Sequence, residues 1–174
     1  MLYRFQIQVS DIDSNAYKTL DLRLAQHPSE TSAFLLTRLI AFALNEQEFL
    51  EFSPSGLSDP DAPAISATLP SGEIRLWIEI GNPSARKLHR ATKASKQVIV
   101  YTYKDPEPLL KEIREGKVFR SEGIQIYALE SKFLERLAEL MERKNTWDLI
   151  LQEGTLTVNV GDKTEAGDLQ KYSV

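Results

Sequence analysis

Hydrophobic and polar residues alternate from the second position onward: Tyr3, Phe5, Ile7 and Val9 fall on one side, and Leu2, Arg4, Gln6 and Gln8 on the other. A period of two predicts a half-buried strand. Residues 17–26 alternate again, Leu20, Leu22 and Leu24 against Thr19, Asp21 and Arg23. The turn formers at 11–15 between the two stretches predict a hairpin. The period then changes. Ser29 is predicted to cap a helix with Glu30 in its first turn, where the positive end of the dipole favours an acid. Phe34, Leu35, Leu36, Leu39, Ile40, Phe42 and Ala43 cover so much of the circumference that this helix, running to about residue 45, is expected to be central and buried.

A short strand is predicted at 49–52, followed by an irregular loop marked by Pro54, Gly56, Asp59, Pro60 and Pro63. Strands follow at 64–69 and 73–80, then a helix from 84 to about 96 and an apolar strand at 98–103 suited to a sheet interior. Beyond these the pattern predicts a helix at 106–116, a strand at 123–128, a helix at 130–143 and a closing hairpin, 146–151 with 155–160. The tail after Gly161 is polar and expected to be loose. Strand and helix alternation predicts one α/β (α+β) domain over 1–174: a mixed sheet flanked by helices, with extra N-terminal and C-terminal hairpins around a core at about 29–103.

Composition narrows the chemistry. A chain of 174 residues, 42% apolar and 26% charged, is long enough to bury its own core. The absence of cysteine removes disulfides, thiolate zinc sites and cysteine nucleophiles together. With only two histidines, His27 and His89, any metal site would be built mainly from carboxylates, whose oxygens suit magnesium, manganese or calcium. The N-terminal stretch lacks the apolar core of a signal peptide, and no apolar run is long enough to cross a bilayer, so a cytoplasmic location without membrane partners is expected.

A net charge of −4 argues against a globally basic nucleic-acid binder, but the charges are segregated. Residues 80–104 contain no acid, while Arg86, Lys87, Arg90, Lys93, Lys96 and Lys104 are cationic. At about 100° per residue, Arg86, His89, Arg90, Lys93 and Lys96 share one side of a helix and Leu88, Ala91 and Ser95 the other. Such a strip is either a solvated face or a track for phosphates.

The stretches HPSET and RLIAFALN at the first helix, GLSDPDAP in the loop, GEIRLWIEIGNPSARKLHRA across strand, turn and helix, and the QVIVYTY that follows together span residues 27–103. In order and spacing they resemble the YaeQ family. The resemblance implies a variation of the PD-(D/E)XK, restriction-endonuclease-like core, ordered helix, three strands, helix, strand; periodicity alone gives the same order. In that core an aspartate near the second strand and an acid on the third bind a divalent cation, and a lysine two residues later acts on the water. Asp61 and Glu79 match the acid positions, so the implied metal ligands are Asp61 and Glu79 with magnesium or manganese.

The sequence departs from the pattern at Gly81, where lysine is expected. Lys87 on the next helix is then the expected catalytic cation, with Arg90 second. Arg86, Arg90, Lys93 and Lys96 are expected to contact nucleic acid, and Glu30, Arg38 and Asp59 to support the site. Each residue also has a plain structural account. Asp61 fits an ordinary turn, Glu79 a salt bridge or an exposed sheet face, Arg38, two turns after Glu30, a structural ion pair or a snorkelling side chain, and Trp77 the core. Three functions stay open: metal-dependent phosphodiester hydrolysis of DNA or RNA, a catalytically inactive nucleic-acid-binding or regulatory module on the same fold, or a pure protein-interaction domain that needs neither the acids nor the basic strip.

Overall fold

The alternating residues at the start of the chain form β1 (Leu2–Asp11), which turns back into β2 (Ala16–Ala25) as an antiparallel hairpin. A computed structural model describes residues Met1–Val174, and the elements that follow in the chain are α1 (Ser32–Asn45), β3 (Leu50–Phe52), β4 (Ile65–Thr68), β5 (Ile74–Ile80), α2 (Ala85–Ala94), β6 (Ser95–Thr102) and α3 (Pro106–Glu115). The last five are β7 (Gln125–Leu129), α4 (Ser131–Leu140), β8 (Lys144–Gln152), β9 (Thr155–Val160) and β10 (Lys163–Tyr172). The fold is α+β with a mixed strand arrangement, as the periodicity predicts, and the order α1-β3-β4-β5-α2-β6 matches the predicted one. No helix is long and apolar enough to cross a membrane.

Contacts divide the chain into two compact units, residues 1–45 with 129–170 and residues 46–128 with 171–174. In the first, the strand order is β2-β1-β8-β9-β10, with β1 and β8 parallel, and with β1 and β2, β8 and β9, and β9 and β10 antiparallel. Phe5, Ile7 and Val9 point inward from β1, and Phe5 meets the Trp147 ring edge-on at 5.0 Å. Helices α1 and α4 pack on each other, burying Leu35, Leu36, Leu39, Phe133, Leu134 and Leu137.

Two expectations fail in this unit. The first helix begins at Ser32, with Thr31 Oγ1 accepting the Phe34 N–H at 3.1 Å, whereas Ser29 bonds to the His27 ring. Glu30 is not in the first turn: its carboxylate folds into the interior, accepting from the His27 N–H and from Arg38, and that holds 27–30 in a turn. The polar tail after Gly161 is not loose either. It forms β10, paired to β9 from Lys163 opposite Val160 to Asp168 opposite Thr155. Its inward position is Gly167, where a Cβ would stand 2.5 Å from Phe133 Cγ, so the ring of α4 fills the space a side chain would take.

In the second unit the order is β7-β6-β5-β4-β3. Strands β3, β4 and β5 run antiparallel in sequence; β5, β6 and β7 run parallel. Parallel neighbours need crossover connections, and α2 and α3 supply them. Both helices lie over one face, where Leu88 and Ala91 of α2 and Leu109, Leu110 and Ile113 of α3 pack with Trp77, Val98, Val100 and Ile126. The predicted second helix is shorter than expected, ending at Ala94, so Lys96 belongs to β6; the fourth ends at Leu140 rather than at 143.

Candidate functional site

Side chains alternate across a strand, so Trp77 and Glu79 of β5 share the face under α2, and Leu76, Ile78 and Ile80 face the opposite way. Both faces of β5 are covered here, and Glu79 is 3% exposed. A carboxylate in such a place needs donors. The Trp77 indole N–H donates to Glu79 Oε1 at 2.7 Å, and Lys87 Nζ lies 3.0 Å from Oε2. Burial pushes the Glu79 carboxyl above its ordinary 4.5, opposed by the Lys87 charge and by the bonds from Trp77 and Lys87.

Lys87 reaches Glu79 because of how α2 starts. Ser84 caps the helix, its hydroxyl accepting the Lys87 N–H at 3.2 Å, so Lys87 sits in the first turn just past the end of β5. The Ala85 N–H donates to a Glu112 carboxylate oxygen of α3 at 3.0 Å, which already supplies an anion to this helix end. Gly81 joins strand to turn at φ +89°, a region side-chain-bearing residues rarely adopt. Lysine at 81 would be strained by its backbone alone, since nothing lies within 4 Å of a Cβ built there.

The outward face of α2 forms a cleft of about 750 Å³. Arg86, Lys87, His89, Arg90 and Lys93 line it, with Asp61 as the acid among the lining residues. Asp61 is well exposed, and its carboxylate lies 3.6 Å from Arg90 Nη1. Its N–H donates to Asp59 Oδ1 at 3.0 Å, so Asp59 shapes the loop that presents Asp61. Lys96, on β6, pairs with Glu73 at 2.9 Å and stays largely exposed. Lys87 lines the cleft with its stem, and its ammonium points inward to Glu79, which does not itself line the cleft.

The structure thus brings Asp61, Lys87, Arg86, Arg90 and Lys93 to one cleft, with Glu79 behind Lys87. Glu30 and Arg38 lie in the other unit and bond to each other, Arg38 Nε to Glu30 Oε2 at 3.0 Å, which is the structural account of that pair. The donors do not fit a divalent cation as they stand. Both Glu79 oxygens are taken, one by an ammonium, and Asp61 is paired with a guanidinium. A cation would have to compete with Lys87 for Oε2.

Sequence reasoning missed Phe119, between α3 and β7. Its ring, 44% exposed, contacts His89 and Lys93 of the cleft at 6.3 Å and 5.9 Å, measured to the ring centre. The run Lys117-Val118-Phe119-Arg120, an aromatic between cations, is the signal that marks it.

Comparison with known proteins extends the likeness well beyond residues 27–103. A family model described as YaeQ protein matches residues 1–167. The YaeQ protein of Salmonella typhi is 28% identical over 156 residues, 89% of this chain and 86% of that one. That of Escherichia coli (strain K12) is 27% identical with the same coverage. The crystal structure of the YaeQ protein from Xanthomonas axonopodis pv. citri superposes with a TM-score of 0.90 at 30% identity, covering 99% of this chain and 98% of that one. The one from Pseudomonas syringae gives 0.89 at 28%, covering 100% and 96%.

Proposed function

The chain belongs to the YaeQ family, and on that premise we propose that its α2 cleft binds the phosphate backbone of nucleic acid. The observation that carries this reading is the lining of that cleft: Arg86, Arg90 and Lys93 face solvent on one side of one helix, with Lys87 and His89 between them. Phosphate contacts need cations at a helix-face spacing and little else, and they do not depend on the protein's net charge. Arginine forks suit phosphate oxygens in pairs, and an exposed lysine adds a mobile point charge.

Binding of about four phosphates would make affinity fall about 100-fold between 50 and 200 mM salt. The test is a titration of the full chain with labelled DNA and RNA. The triple substitution Arg86→Glu, Arg90→Glu, Lys93→Glu is expected to abolish binding at low salt and leave the circular dichroism unchanged, because these cleft side chains are exposed. Absence of wild-type binding to any DNA or RNA at low salt would reduce the strip to a solvated surface.

A second reading, metal-dependent phosphodiester hydrolysis on a PD-(D/E)XK-like core, is favoured by the order α1-β3-β4-β5-α2-β6, while the Lys87 ammonium on Glu79 Oε2 counts against it. Lysine would then come from α2, since the positive φ at position 81 disfavours a side chain there. Asp61 and Glu79 would be the carboxylates for magnesium or manganese, and Lys87 would first have to release Oε2. Running the same titrations with and without magnesium separates the readings: cleaved strands support hydrolysis, and intact bound strands leave a binding module.

A further inference from the structure

We propose that Phe119 is a base-stacking residue that makes the α2 cleft selective for single-stranded nucleic acid, an inference that rests on the phosphate-binding reading of that cleft. A lone exposed phenylalanine needs no explanation. This one is held in place from several sides. Its N–H donates to His89 Nδ1 at 3.1 Å, and the His89 ring meets it nearly edge-on, at 78°. Lys93 Nζ and the Arg120 guanidinium lie 5.9 Å and 5.0 Å from the ring centre, within cation–π range.

The loop holds the ring against His89 and Lys93, two residues that line the cleft, although Phe119 does not line it itself. Val118 is buried in the core beneath α2 and α3, which anchors the residue before it. Lys117 and Arg120 adopt φ of 49° and 50°, left-handed conformations that residues with a Cβ take only when their surroundings impose them. The surroundings here include the Arg120 guanidinium, which donates to the Thr92 and Ser95 carbonyl oxygens at the end of α2. Phe119 is therefore fixed to the same helix that carries the cations.

A fixed aromatic beside a cationic track is the arrangement that single strands use, with phosphates on the cations and an unpaired base on the ring. A duplex keeps its bases stacked on one another and has no free base face to offer, so the ring adds nothing to duplex binding. Stacking is tolerant of sequence because every base has a π face. DNA and RNA share this chemistry.

The test uses the full chain with fluorescein-labelled oligo(dT), oligo(U) and a DNA duplex of equal length. Phe119→Leu keeps an apolar side chain and removes the aromatic face. It is expected to weaken single-strand binding about 5- to 100-fold while leaving duplex binding within about twofold. Comparing the dT and U arms tells whether DNA or RNA is preferred. Phe119→Trp should retain binding, and its emission should be quenched as a base stacks on it; Trp77 and Trp147 are buried, so the new signal belongs to position 119. If wild type binds single strands and Phe119→Leu binds them equally well, the stacking role falls while the phosphate-binding reading stands. If wild type binds neither single strands nor duplex, both fall. Should Phe119→Leu fail to fold, the tryptophan variant decides: saturating oligonucleotide without quenching overturns the assignment.

Discussion

Glu30 and Glu79 are both buried carboxylates met by a cation from a helix, yet the two pairs are made differently. Arg38 grips Glu30 with two donors, at 3.0 Å and 3.1 Å, and also donates to the Ala25 carbonyl. Its side chain is 9% exposed and that of Glu30 1%. Lys87 touches Glu79 with a single ammonium, is 24% exposed along its side chain, and lines an open cleft. A planar fork bonded on both sides has one geometry; an ammonium on a flexible stem can turn to another anion. The contrast separates a closed pair inside the fold from a pair that joins the interior to the lining of the cleft.

The heaviest blow to this contrast is Arg38→Met. It leaves Glu30 buried beside a thioether, and urea unfolding is expected to register a loss of about 3–5 kcal/mol. Binding of oligonucleotides by the folded fraction should stay as in wild type. A loss within about 1 kcal/mol would mean that the first pair is not closed after all. Lys87→Met is expected to be milder, about 1–2 kcal/mol, because Glu79 keeps its bond from Trp77 and can take up a proton. Here oligonucleotide affinity should drop as well. Equal destabilisation by the two substitutions would erase the distinction.

The gentlest probe is Glu79→Gln read against pH. Burial raises the Glu79 carboxyl pKa above its ordinary 4.5, so the folded state binds the proton more tightly than the unfolded chain. Its contribution is then most favourable below the ordinary value and declines as pH climbs from about 4.5 through the raised value. Wild type should therefore lose stability relative to Glu79→Gln across that interval, in denaturant titrations at a series of pH values. Parallel curves for the two proteins would mean that Lys87 fully offsets the burial.

Element order was legible because most buried strands carry apolar side chains at every second position, as Phe5, Ile7 and Val9 do. β10 was not, and Gly167 is the reason: the inward position of that strand is filled by Phe133 from a helix 34 residues earlier in sequence (167 − 133), so the strand shows no alternation of its own. The start of α1 differs from the Ser29 expectation because Glu30 is buried against Arg38, which leaves Thr31 to accept the Phe34 N–H. At the site, Lys96 fell on β6 because the helix stops at Ala94, and Lys87 was reached only through the family resemblance, but the Arg86, Arg90 and Lys93 strip on α2 could be read from spacing along one helix. The pairing of Asp61 with Arg90 could not, since 29 residues separate them (90 − 61), nor could the bond from Phe119 to His89, 30 residues apart.

The parallel pairing of β1 with β8 has a consequence for how the chain is made. Arg4 lies opposite Lys144, so one edge of β1 has no partner until 140 further residues have been synthesised (144 − 4). At about 5–20 residues per second, the ribosome leaves that edge open for roughly 7–28 s. For that interval the nascent hairpin offers a row of unpaired amides flanked by Phe5, Ile7 and Val9, all buried in the finished protein, to any other strand in reach. Newly made chains thus carry an open strand edge until β8 has left the ribosome, and shielding during synthesis would guard that edge against pairing between chains.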